Sequence, residues 1–222
     1  MTAPTGAGPP WVVRAADGSE DSLGYRHLES ATWRVTELPR GRRRVTIVHR
    51  PLAGLEPEDL LWWFSHIGGS CHVDGEETSR YRAWHPRDHL HWALERPGHG
   101  GGADEGARFR IVEAFGAVQQ NLIDVVERVE KLDATGIRLV QRRLGVRVFM
   151  LEHTWSPGVE GTHYVSTMEI GSVLPGWLPV NWWLTRRVMP AHRCRAWVRH
   201  NVEEVGRLEG LVPLVRGQSP AD

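Results

Sequence analysis

The hydrophobic period of the chain changes once, near residue 108, and that change divides it into two kinds of element. Upstream, 44–50 (RVTIVHR) is β-branched and reads as a strand, with a weaker alternation over 31–38 that predicts a short strand or extended arm. Residues 57–67 set Leu60, Leu61, Trp63 and Phe64 behind Pro57 and Glu58, a helix start, and Gly68-Gly69 ends it. Pro86 offers the first-turn residue of a second helix over 87–94, closed by Pro97 and the glycines of 98–102. From 108 the period is two. Five runs, 108–115, 122–131, 136–143, 146–155 and 162–172, are separated by turn residues such as Leu144-Gly145 and Ser156-Pro157-Gly158. Helical spacing returns over 182–208, with Trp197, Val198, Val202, Val205 and Leu208 on it and Pro190 as a kink or a new start. Residues 1–10 are small, Gly and Pro, and are expected to be disordered.

Five consecutive strands with short links argue for an antiparallel meander. The order of strand, two short helices, meander and long helix resembles the helix-grip fold, START-like and shared with the birch-pollen allergen family. That implies an α+β class in which a curved antiparallel sheet wraps a long C-terminal helix and leaves a cavity for small apolar ligands. A two-layer α+β sandwich with a filled core is the alternative. The 222 residues suit one domain, expected at 42–222, with 1–41 as a flexible N-terminal segment or small appendage.

Composition narrows the function classes. The 27 basic and 27 acidic side chains balance, which removes the charge argument for a nucleic-acid or polybasic membrane partner. Two cysteines, Cys71 and Cys194, are too few for a disulfide framework or a cysteine zinc cage. No apolar run approaches the ~20 residues of a spanning helix. Residues 1–10 lack the basic start and apolar core of a leader, so a soluble, cytoplasmic protein is expected. Twelve histidines and eleven tryptophans stand out.

Some of those histidines cluster with carboxylates. Tyr81-Arg82-Ala83-Trp84-His85-Pro86-Arg87-Asp88-His89 sets two imidazoles four residues apart, and Asp88 can orient one of them as an acceptor. His200 and Glu204 are i, i+4 neighbours on a helix face that Trp197 and Leu208 make otherwise apolar. Glu113 alternates with Phe109, Ile111 and Phe115, so it shares the apolar face of its strand, where a carboxylate needs a partner. His153 ends one strand and Tyr164 starts the next. Each has a bland reading, respectively a polar helix entrance, a surface His–Glu pair, a buried Arg–Glu pair and unrelated strand ends. Together, two histidines and two glutamates around one space suit a catalytic zinc or a non-haem iron.

Leu61-Trp62-Trp63-Phe64, Tyr81-x-x-Trp84-His85-Pro86-x-Asp88-His89, Glu113, and His200-Asn201-x-Glu203-Glu204 resemble the 2,4-diacetylphloroglucinol hydrolase and phloretin hydrolase family over roughly 51–208. The resemblance implies a zinc-dependent C–C hydrolase on a helix-grip fold, acting on a small aromatic polyketide or acylphenol. It implies one Zn2+ per chain, with iron as the alternative, held by His89, Glu113, His200 and Glu204. His89 is preferred to His85 because of its spacing from Tyr81, the counterpart of the family's substrate tyrosine. His153 and Tyr164 correspond to an active-site histidine and a second substrate tyrosine, while His85 and Asp88 are left to assist catalysis. The family's small N-terminal dimerisation domain has only a short counterpart here, and no asparagine matches its substrate-positioning asparagine. A homodimer and the substrate's identity therefore stay open. A non-catalytic binder and a non-haem iron oxygenase are the rival readings.

Overall fold

The computed structural model describes residues 24–218; the expectation of disorder for 1–10 lies outside the described residues. Ten strands and four helices follow in the order β1 (Ala31–Leu38), β2 (Arg42–His49), α1 (Pro57–Ser65), β3 (Ser70–Val73), β4 (Glu76–Ser79), α2 (Arg80–Trp84), β5 (His89–Arg96), β6 (Arg108–Ala114), β7 (Leu122–Asp133), β8 (Gly136–Arg143), β9 (Val146–Ser156), β10 (His163–Ile170), α3 (Leu178–Trp183) and α4 (Ala191–Arg216). Eight strands form one antiparallel sheet in the order β1-β2-β10-β9-β8-β7-β6-β5. The meander from β6 to β10 is the sheet's main body, and α4 packs along its inner face: an α+β helix-grip arrangement. Among the described residues, no helix is long and apolar enough to cross a membrane.

Local chemistry explains most of these elements. In α1, Pro57 is the first helical residue, and the Asp59 side chain accepts from the Glu56 backbone N–H at 2.9 Å. Leu60, Trp63 and Phe64 then turn inward. Phe64 lies 3° from parallel with Trp155 at a ring separation of 5.5 Å, so α1 is clamped to the meander by aromatic stacking. Pro190 caps α4, resolving the sequence's ambiguity in favour of a new start. Ahead of it, Leu184–Val188 is a turn of π-helix that continues α3. Helix α4 is buried on most sides, because α2 and the segment around Arg26 cover the face turned away from the sheet.

One element differs from expectation. Residues 87–94 are not a helix: β5 runs antiparallel to β6 from His89 opposite Glu113 to Arg96 opposite Arg108, with irregularities after His89 and Leu94. The helical start at Pro86 yields a single turn, in which the His89 N–H donates to the His85 carbonyl at 2.9 Å. Pairing with β6 then captures the chain, and sheet hydrogen bonds outweigh a weak local signal. The short helix lies earlier, as α2, where Ser79 Oγ accepts from the Arg82 N–H at 3.2 Å. The β3–β4 hairpin was not foreseen, although Asp74-Gly75 is a hairpin dipeptide with φ of 54° and 84°.

Candidate metal centre and its cavity

Three elements converge on one point. His89 opens β5, Glu113 faces it in the β6 register, and His200 and Glu204 stand one turn apart on α4. His89 Nε2 lies 3.5 Å from Glu113 Oε1 and 3.4 Å from Glu204 Oε2. His200 Nε2 lies 3.8 Å from Glu113 Oε2 and 3.6 Å from Glu204 Oε2. His89, His200 and Glu204 are buried, and Glu113 is half-buried against the cavity.

Each donor is held from behind. His89 Nδ1 donates to the Tyr81 carbonyl at 2.7 Å, and His200 Nδ1 donates to Asp88 Oδ2 at 3.0 Å. Asp88 is itself fixed by the N–H groups of Gly116 and Ala117, at 2.8 and 3.0 Å. The Tyr81 hydroxyl donates to Glu113, and Asn201 Nδ2 donates to Glu204 Oε1 at 2.6 Å. Both imidazoles therefore turn Nε2 inward with their tautomers set by the outer contact.

This donor set fits a divalent ion. With its proton at Nδ1, a neutral His89 presents a lone pair at Nε2, which is buried without a hydrogen-bond partner among the described residues. A lone pair facing two carboxylates is repulsive unless a cation lies between them. Two carboxylates and two neutral imidazoles carry a charge that Zn2+ cancels, and mixed N/O ligation is within its chemistry. His200, His89 and Glu204 also lie within one small sphere of ligand atoms.

Charge couples the same groups when no ion lies between them. Burial opposes ionisation of Glu204, but the neighbouring His200 and His89 override it and hold the carboxyl at about 2. Burial likewise opposes a proton on His200, yet Glu204 and the bond to Asp88 lift it to about 9. Asp88 is held well below the usual carboxylate range: burial works against its charge, and His200 more than offsets that. Burial pushes His153 down to about 4, and it pushes the Tyr81 and Tyr164 hydroxyls well above their ordinary value.

The other candidates fall into place around this cluster. His85 is not among the converging donors. Its Nε2 lies 3.2 Å from Glu203 Oε2, its Nδ1 lies 3.2 Å from the Tyr25 hydroxyl, and its ring stands 4.5 Å from that of His200. His85 and Asp88 thus support His200 from the side away from the cavity. His153 lines the cavity, with Nδ1 2.9 Å from Ser166 Oγ, and Tyr164 stands next to it with ring centroids 5.5 Å apart. Asn201 was not foreseen as a contact of Glu204, though the i, i+3 spacing was in the sequence. His49 joins the same network through Asn201 Oδ1 at 3.2 Å and Ser166 Oγ at 3.1 Å, and no sequence signal indicated it.

Two chambers that share part of their walls lie beside the cluster. The first, about 50 Å³, is aromatic, with Phe64, Tyr81, Trp84, Trp92, Phe109 and His153 in its wall. The second, about 90 Å³, is mainly aliphatic and includes Glu127 and Gln141. Ile111, Glu113, Leu151 and Trp197 belong to both. A larger depression of about 320 Å³ opens on the surface beside Arg42, Arg147 and Val173, but the converging donors lie elsewhere.

No protein-family model matches the chain, and no curated protein matches it. Solved structures do. Protein Ms6760 from Mycobacterium smegmatis aligns at 9% identity and a TM-score of 0.45, over 79% of this chain and 96% of that one. Ara h 8.0201 aligns at 9% identity and a TM-score of 0.37, over 77% and 98%. A STAR-related lipid transfer protein from Xanthomonas axonopodis aligns at 16% identity and a TM-score of 0.37, over 77% and 98%. At these scores the likenesses carry no inference about function.

Proposed function

We propose that the chain handles a small aromatic ligand at a metal centre, and that it is a zinc-dependent hydrolase of acylated phloroglucinol-type aryl ketones. The observation that carries the reading is the convergence of His89, Glu113, His200 and Glu204, each fixed from behind, at the junction of a buried cavity. These four residues would hold the ion. Bound there, zinc supplies Lewis acidity and a water whose pKa falls towards ~7.

The protein's own residues supply the rest. A polyhydroxylated ring can tautomerise to a diketone, which makes a ring carbon a competent leaving group. The ring fits the aromatic chamber, where the Tyr81 hydroxyl, already donating to Glu113, accepts from a ring hydroxyl. His153 is kept neutral by burial and tied at Nδ1 to Ser166, so its proton traffic runs through Nε2. It takes the proton released as water oxygen bonds to the acyl carbon and returns it to the ring carbon as the C–C bond breaks. The products are a carboxylic acid and a polyhydroxybenzene. The apolar walls exclude other water.

The test incubates zinc-loaded protein with a panel of acylated phloroglucinols, without oxygen, in 18O-labelled water. Labelled acid above the metal-free control is expected. Acid released only in oxygen would favour an iron oxygenase. Tight binding with no acid across the panel would leave a carrier, the reading that the largely apolar cavity favours by itself.

A further inference from the structure

The overall balance of charge hides a local asymmetry. Residues 171–202 hold five arginines (Arg186, Arg187, Arg193, Arg195 and Arg199) and four tryptophans, with no aspartate or glutamate among them. Helix α3 lies in that stretch, and it is built inside out. Its polar residue, Asn181, is fully buried: Oδ1 accepts from the Ser172 N–H at 2.7 Å, and Nδ2 donates to the carbonyls of Ser172 and Arg40, both at 2.9 Å. The apolar residues face outward instead. Leu178 and Trp183 are each 55% exposed and Trp182 is 52% exposed, with Val173, Leu174 and Val180 exposed beside them. A surface helix normally turns its apolar side to the core, because burying it is what stabilises the fold. In α3 the hydrogen bonds of Asn181 tether the helix, and the apolar side is left to water.

Whatever covers this face must answer its charge as well as its apolar character. Arg186, Arg187 and Arg195 are exposed and, among the described residues, form no ion pair. Arg186 lies over the Trp182 ring, 4.2 Å from its centroid, so cation and apolar surface are interleaved. A second copy docked by two-fold symmetry would bring these arginines against themselves, with no carboxylate in 171–202 to offset them. Gly24 lies beside Arg207, Gly210 and Leu214, and Gln218 follows α4, so both ends of the described chain sit at the end of α4 opposite α3. Lipid headgroups meet both demands. An indole settles at that level by its amphipathic ring, an arginine reaches phosphate while its stem lies on apolar surface, and anionic lipid attracts each cation near it.

We propose that α3 and the loop before it form a docking surface for an anionic lipid bilayer. Leu178, Trp182 and Trp183 enter the headgroup region, and Arg186, Arg187 and Arg195 meet lipid phosphates. One short helix carries the apolar contact, so attachment is shallow, reversible and salt-sensitive. The π-helical turn that continues α3 ends at Val188, which with Met189 lines the second chamber, so one continuous segment joins the docking surface to that chamber. The surface stands apart from the metal cluster, and the inference holds whether or not the chain is a hydrolase.

The test sediments the full chain with sucrose-loaded vesicles of phosphatidylcholine alone, or of phosphatidylcholine and phosphatidylglycerol mixed two to one. Affinity for the mixed vesicles should be about 10-fold or more above that for phosphatidylcholine, and should fall as salt rises from about 0.1 M to about 0.5 M. The double variant Trp182→Ser with Trp183→Ser should weaken binding about 10-fold or more. Arg186→Gln with Arg187→Gln should weaken it about 30-fold. Val159→Ser, which removes an exposed apolar side chain from the β9–β10 loop, should leave binding unchanged. All these side chains are exposed, so each variant should melt within about 2 °C of the wild type. No sedimentation with the mixed vesicles, equal binding to both kinds, binding unchanged in either double variant, or an equal loss in Val159→Ser would overturn the proposal. A dimer in sedimentation velocity that the tryptophan variant dissolves would overturn it too, because a second copy would then cover this face.

Discussion

Replacing Glu127 by Gln keeps shape and the acceptor for Gln141 but removes the ability to ionise. In the folded protein, burial raises this carboxyl from 4.5 to about 7. The folded state therefore prefers the protonated form. Stability associated with the group is fully present below the unfolded pKa and is lost as pH rises through the folded one. Each pKa unit is about 1.4 kcal/mol, so the wild type gives up about 3 kcal/mol between pH 4.5 and pH 8 that the variant does not. For a chain of this length that corresponds to about 6–12 °C in melting temperature. Thermal unfolding of both proteins in EDTA, at half-unit steps from pH 5 to pH 8, reads the effect as a difference. The chelator keeps metal occupancy from adding its own pH dependence, and other titrating groups cancel. The variant should be the more stable at pH 8, with the gap closing towards pH 5. A gap that stays constant with pH, or a wild type more stable at pH 8, would refute the assignment of a buried, proton-holding carboxyl at this position.

Three further outcomes follow from the geometry. His89→Ala, His200→Ala and Glu204→Ala should each lose most bound zinc by elemental analysis, while His85→Ala keeps it, because His85 turns to Glu203 and Tyr25 instead. Zinc uptake at pH 7 should release about one proton, since His200 is held near 9 and must give up its Nε2 proton to ligate; calorimetry in buffers of different ionisation enthalpy counts it. Gly136→Ala should destabilise by about 1–3 kcal/mol in denaturant titration, because a Cβ there would lie 2.3 Å from the His153 carbonyl oxygen in the paired strand.

The parts of the fold that were legible in the sequence are those whose local signal and tertiary role agree. Alternation over 108–172 is both a strand preference and a one-sided burial pattern, and α4 shows its apolar spacing because the sheet demands it. The stretch 87–94 departs from its helical signal because its strand character comes from β6, more than ten residues away along the chain. Glu113 stood out as an acid on an apolar face. Glu127 meets the same criterion between Val125 and Val129, but its signal is masked in a strand that also carries Asp124, Glu130 and Lys131 on or near its outer side. The support network escaped for another reason. Asp88 reaches His200 across 112 positions and His49 reaches Asn201 across 152, and such contacts exist only once the fold has closed.

His89 is the first residue of β5, and β5 is the margin of the sheet, bonded to β6 on one side only. Margins open at lower free energy than interior strands. His89 leaves the cluster whenever this margin parts from β6, so amide exchange along β5 and release of a bound ion should share one rate.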